Sequence, residues 1–76
     1  MILPGKHLPE AHSLLGVGAV LLGHMDGHDH TVSSLWEIVR RDRSIGTFGR
    51  FVLALDLLYV LNAVTLEDGV LTVRTP

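Results

Sequence analysis

The sequence predicts a mainly α-helical domain that ends in a β-hairpin, a winged helix-turn-helix. Three observations lead there. Val32, Leu35, Trp36 and Val39 recur at helical spacing behind a capping threonine. The segment from Phe48 onward is apolar nearly all round. The tail "AVTLEDGVLTVRT" alternates apolar and polar residues about an Asp-Gly pair. With an apolar helix ahead of them, these give the order helix, helix, helix, hairpin.

Residues 1–12 carry Pro4, Gly5 and Pro9 and are predicted to be largely irregular, with Ile2 and Leu3 packing on the domain or adding a short strand. Ser13 is the expected N-cap of a helix from Leu14 to Met25. Leu14, Val17, Gly18, Leu21 and Met25 fall on one face of it. Gly16 and Gly18 each cost about 1 kcal/mol against alanine in a helix interior, which predicts close helix-to-helix approach as their use. Thr31 caps a second, amphipathic helix that ends near Arg43, with Glu37, Arg40 and Arg41 on its outer face. "DRSIG" is a turn, with Ile45 expected to plug the core.

Thr47 caps the third helix, "FGRFVLALDLLYVLNAV". Phe48, Phe51, Val52, Leu55 and Tyr59 make one apolar face, and Leu53, Leu57, Val60 and Leu61 make another. A helix apolar on most sides is buried on most sides, and two other helices cannot cover it all. In the hairpin, about residues 64–74, Asp68-Gly69 is a type I′ dipeptide. A two-residue loop there pairs Leu66 with Leu71 and Val64 with Val73, putting all four on one side.

The bulk composition agrees. The chain has 76 residues, enough for one small domain, here 1–76. It is 47% apolar and 18% charged, too apolar for a disordered chain and rich in apolar surface for its size, so another chain is expected to cover part of it. A net charge of −2 gives no bulk pull toward nucleic acid or anionic lipid. The absence of cysteine excludes disulfides, thiolate metal sites and cysteine nucleophiles. The N-terminus lacks a signal-peptide pattern, and the longest apolar run, Phe51 to Leu61, is far short of the ~20 residues a membrane-spanning helix needs. A soluble, cytoplasmic protein is expected.

"MILPGKHLPEAHSLLGVGA", then "TVSSLWEIVR", then "FVLALDLLYVLNAV" and an acidic-glycine wing together resemble the small middle-component proteins of bacterial three-component ABC systems. Met1 to Pro4, Lys6-His7, Ser13 to Ala19, Thr31 to Trp36 and Phe51 to Leu57 carry the resemblance, which covers nearly the whole chain. It implies a non-catalytic adaptor that works beside an SMC- or RecN-like ABC ATPase and a third, variable effector in defence against phages and plasmids. The segment between the first two helices varies in the family pattern, so its histidines would be particular to this chain.

Those histidines are the most conspicuous motif. "GHMDGHDHT" places His24, His28 and His30 around Asp26 and Asp29, residue types that suit zinc, nickel or copper. Yet its glycines put it in an exposed connection without a rigid scaffold, and no residue can be named that would orient the imidazoles. A polar loop is the expected reading, with no metal site. "GVGA" lacks the strand, third glycine and acidic residue of a dinucleotide fingerprint and the Lys-Ser/Thr of a P-loop, so no cofactor is expected. Lys6, His7 and the serines assemble no catalytic constellation.

Arg40, Arg41, Arg43 and Arg50 surround the turn between helices two and three, the corner a winged helix points at DNA or at an acidic partner. Helix three offers mainly leucine and valine where base reading needs polar side chains. The expected partner interface is therefore Leu53, Asp56, Leu57, Val60 and Leu61, with Asp56 paired to Arg50, to a backbone group or to another subunit. The alternatives are a winged-helix DNA-binding regulator, weak contact with the DNA backbone, a metal-responsive module that binds zinc or nickel through His28 and His30, and a homodimer that covers helix three with a second copy.

Overall fold

The computed structural model describes residues 4–74, with side chains from Ser13 onward. Ile2 and Leu3, and the side chains of Lys6 and His7, lie outside the described residues. The elements are α1 (Pro4–Met25), β1 (His30–Thr31), α2 (Val32–Val39), α3 (Phe48–Val60), β2 (Val64–Glu67) and β3 (Val70–Val73). Three helices pack beside a small antiparallel sheet of order β1-β3-β2.

α1 is longer than the sequence predicts. It opens at Pro4, so the segment expected to be irregular is helical from there, and Ser13 lies inside the helix, not at its cap. Proline at a first helical position gives up only an N–H that would have no intrahelical partner, so "PG" here starts a helix. Gly18 is where α1 meets α3. A Cβ built on it would lie 3.0 Å from Leu58 Cδ2, whereas one on Gly16 would meet nothing within 4 Å. Close approach therefore explains Gly18 and not Gly16.

α2 opens on a reciprocal cap. Thr31 Oγ1 accepts from the Ser34 N–H and Ser34 Oγ accepts from the Thr31 N–H, both at 3.0 Å. The helix stops at Val39, short of the expected Arg43. The chain there folds into a turn in which the Asp42 N–H donates to Val39 O (2.9 Å) and the Ile45 N–H to Asp42 O (3.1 Å). Gly46, at φ +81°, completes the reversal. Ile45 is thereby driven fully into the core, as expected. Thr47 Oγ1 caps α3 through the Arg50 N–H at 3.2 Å.

The core joins Val17, Leu21 and Met25 of α1, Leu35 and Val39 of α2, Phe51, Ala54, Leu55 and Leu58 of α3, and Val64 and Leu71 of the sheet. The buried face of α3 differs from the expected one. Ala54 and Leu58 belong to it, while Phe48 and Tyr59 are exposed. The hairpin has the predicted register, Leu66 opposite Leu71 and Val64 opposite Val73. Its turn residues Asp68 and Gly69 both have positive φ, 52° and 78°, as type I′ requires. β1 is not among the expected elements; its His30 and Thr31 pair with Leu71 and Val70.

Candidate interaction surface

α3 packs on α1 and the sheet along one side only, which leaves its outer side apolar and uncovered. Leu53 is 52% exposed, Val60 78% and Leu61, the C-cap, 56%. Leu57 between them is half-buried, and Asp56 is exposed. Leu53, Asp56, Leu57 and Val60 stand at i, i+3, i+4 and i+7, so they form one stripe. Among the described residues, Asp56 makes no ion pair or hydrogen bond. Arg50, proposed as its partner, is held elsewhere: its Nε donates to Ile45 O at 3.3 Å and its Nη2 donates to Ser13 Oγ on α1.

The other flank of α3 forms an open cleft of about 300 Å³ against the sheet and the start of α2. Its floor is Leu55, Val64 and Leu71, and its sides are Val32, Val52, Tyr59 and Leu66. Asp56 is the one charged residue in its lining. Tyr59 is 61% exposed and Leu66 47%. Toward the start of α3 the apolar surface continues into Phe48, which meets Trp36 edge-on at a centroid distance of 5.2 Å.

The four arginines have different settings. Arg40 pairs with Glu37 at 3.3 Å in an exposed contact, which is worth little in water. Arg50 ties α3 to α1 and to the Ile45 turn. Arg41 and Arg43 are exposed. Within this turn the hydroxyl and N–H of Ser44 hold the Asp42 carboxyl below the usual carboxylate range, with His24 adding a smaller pull.

The histidines are spread over three different settings. His24 is exposed at the end of α1. The His28 ring Nδ1 lies 3.0 Å from the Asp26 carbonyl, and half-buried His30 sits in β1 with Nδ1 3.4 Å from Ser34 Oγ. The rings of His28 and His30 are 6.4 Å apart. Among the described residues, no three His, Cys, Asp or Glu side chains are grouped to hold one metal ion, and no helix is long and apolar enough to cross a membrane.

A family model, ABC-three component (ABC-3C) system Middle Component 6, matches residues 3–75. The chain belongs to that family. No curated protein and no solved structure matches it. Membership in the Middle Component 6 family makes the chain one part of a three-component ABC system, so the uncovered α3 stripe and the adjoining cleft belong to a protein that works with other components. The sequence pointed to the stripe through the all-round apolarity of α3. It gave no pointer to the cleft, which exists only because the hairpin folds back beside α3.

Proposed function

We propose that this chain is a non-catalytic adaptor that holds a variable effector against an SMC- or RecN-type ABC ATPase in the bacterial cytoplasm, as part of a defence system. The scaffold is a winged helix-turn-helix whose third helix serves docking in place of base reading. The order α1-β1-α2-α3-β2-β3, with the hairpin following α3 directly, supports the winged-helix reading. The observation that carries the function is the exposed stripe Leu53, Val60 and Leu61 on α3. An apolar stripe is costly to leave in water and fits a partner interface.

The same side of α3 offers base edges one polar side chain, Asp56, whose carboxylate only accepts and is repelled by phosphates. The turn of the wing carries Glu67 and Asp68, both exposed, which oppose a phosphate backbone. The test is co-expression of the tagged chain with the other two components of its system. Wild type is expected to retain both, and Val60→Asp, a change at the most exposed of these positions, to lose one while staying folded. Retention of neither component by wild type would remove the adaptor reading. Salt-dependent duplex binding abolished by Arg41→Glu with Arg43→Glu would then make the chain a DNA-binding regulator.

A further inference from the structure

We infer that the cleft between α3 and the wing is a second docking site, one that takes a segment of another component carrying an apolar anchor side chain beside a lysine or arginine. The inference rests on the adaptor reading and adds to it. An adaptor joins two proteins and needs two surfaces, and the α3 stripe supplies one of them.

The shape sets the first half of the partner's chemistry. The cleft is open, and at about 300 Å³ it accommodates one or two side chains, at the low end of what ligand pockets reach. It does not stop at its own rim. Val52 and Tyr59 line it, Phe48 carries the same flank of α3 beyond it, and from Phe48 to Tyr59 the helix rises roughly 16 Å. That length suits a peptide segment better than a small molecule, and its aromatic rims are the residue types that anchor protein interfaces.

Charge sets the second half. Asp56 lines the cleft, is exposed, and meets no cation of its own chain among the described residues. Leu66 lines the opposite side, and Asp56 is the one charged residue in the lining, because the strand's alternation turns Glu67 to the other face of β2. The arginines Arg40, Arg41 and Arg43 lie instead in the turn between α2 and α3. An apolar cleft lined by one carboxylate with no cation beside it selects an apolar segment with positive charge. The same charge disfavours a second copy. A two-fold interface presents one patch to itself, so centring it on this cleft would bring Asp56 toward its own counterpart.

The experiment uses the full chain, tagged and co-expressed with the other two components, as wild type, Leu66→Asp, Asp56→Lys and Val60→Asp. Folding of each variant is checked by circular dichroism. Leu66→Asp and Asp56→Lys are each expected to weaken retention of the same component at least about tenfold, while Val60→Asp keeps that component. On an array of peptides tiling it, wild type should bind those pairing an apolar residue with Lys or Arg, and Asp56→Lys should favour those carrying Asp or Glu. If Asp56→Lys, at an exposed position, retains both components as wild type does, the cleft inference falls, and loss with Val60→Asp would leave the adaptor reading standing. If wild type retains neither component, both fall. A dimer by sedimentation that Leu66→Asp dissolves would assign the cleft to a second copy and overturn the inference.

Discussion

Gly16 and Gly18 lie two residues apart in α1, and alanine at each should act in opposite directions. Replacing a helix-interior glycine with alanine stabilises by about 1 kcal/mol through the backbone entropy the glycine loses on folding. At Gly16 nothing opposes that gain, since a Cβ there has no neighbour within 4 Å. At Gly18 the new methyl meets Leu58 Cδ2 at 3.0 Å and Cγ at 3.4 Å. Leu58 is only 4% exposed and packed in the core, so it has little room to yield. Overpacking of this kind costs about 1–3 kcal/mol. The helix term is common to both sites and cancels in the comparison, so Gly16→Ala should exceed Gly18→Ala in stability by about 1–3 kcal/mol. In a domain of this size that separates the two melting temperatures by roughly 4–24 °C, read by circular dichroism or calorimetry. Leu58→Val should narrow the gap in a double-mutant cycle, because it shortens the side chain that is struck. Equal melting temperatures for the two alanine variants would refute the close approach of α1 and α3 at Gly18.

Other outcomes follow from the same structure. Ile45→Ala should cost about 2–5 kcal/mol, measured by urea unfolding, because Ile45 is fully buried in the core cluster. Gly69→Ala should destabilise by about 1–2 kcal/mol, since φ of 78° is a left-handed conformation that an L-residue adopts at a cost; a thermal melt checks it. Val60→Asp should change stability by no more than about 0.5 kcal/mol, so that any loss of partner retention reports the surface and not the fold. The Asp42 carboxyl is depressed in the folded state, so the stability it contributes is present above the ordinary aspartate range and is lost as pH falls through the lower folded value. Carboxyl-carbon NMR titration should show that value rising toward normal in Ser44→Ala, which removes one of the two bonds to Asp42 Oδ1.

The hairpin was readable to its register because a two-residue Asp-Gly loop leaves the strands one way to pair that keeps Leu66 and Leu71 on the same side. α2 was readable because its cap and its 3.6-residue period agree. Three features were not, each for a local reason. β1 is two residues long, too short to show any period, and exists only because β3 offers it an edge. The start of α1 hides behind a Pro-Gly pair that serves equally well as a loop. In α3 apolar residues lie on every side, so periodicity could not say which side is inward. Ala54 and Leu58 are buried because Gly18 lets α1 come close to that side of the helix, and no pattern within α3 records where α1 will lie. The candidate stripe was legible as a surplus of apolar residues, but the cleft was not, since Asp56 and Leu66 are neighbours only once the wing is folded.

The same asymmetry explains why a chain this small can present two distinct surfaces. A helix packed on both sides would be a core element with nothing to offer a partner. Here α1, the sheet and Trp36 of α2 cover the side of α3 that carries Phe51, Ala54, Leu55 and Leu58. Arg50 reinforces that arrangement by tying α3 to Ser13 of α1 and to the Ile45 turn. It is thereby engaged within its own chain and makes no ion pair with Asp56. The outer side of α3 is left divided by Asp56, with the stripe of Leu53 and Val60 on one hand and the cleft beside Tyr59 on the other. One unpaired carboxylate thus bounds both surfaces. Asp56→Asn should therefore disturb docking at the cleft, where charge selects the partner, far more than docking at the stripe, where apolar burial dominates. Retention of the two components at low and high salt measures that difference: added salt should weaken the component held at the cleft in wild type and have little further effect on it in Asp56→Asn. Equal salt dependence of both components in both proteins would show that Asp56 selects neither.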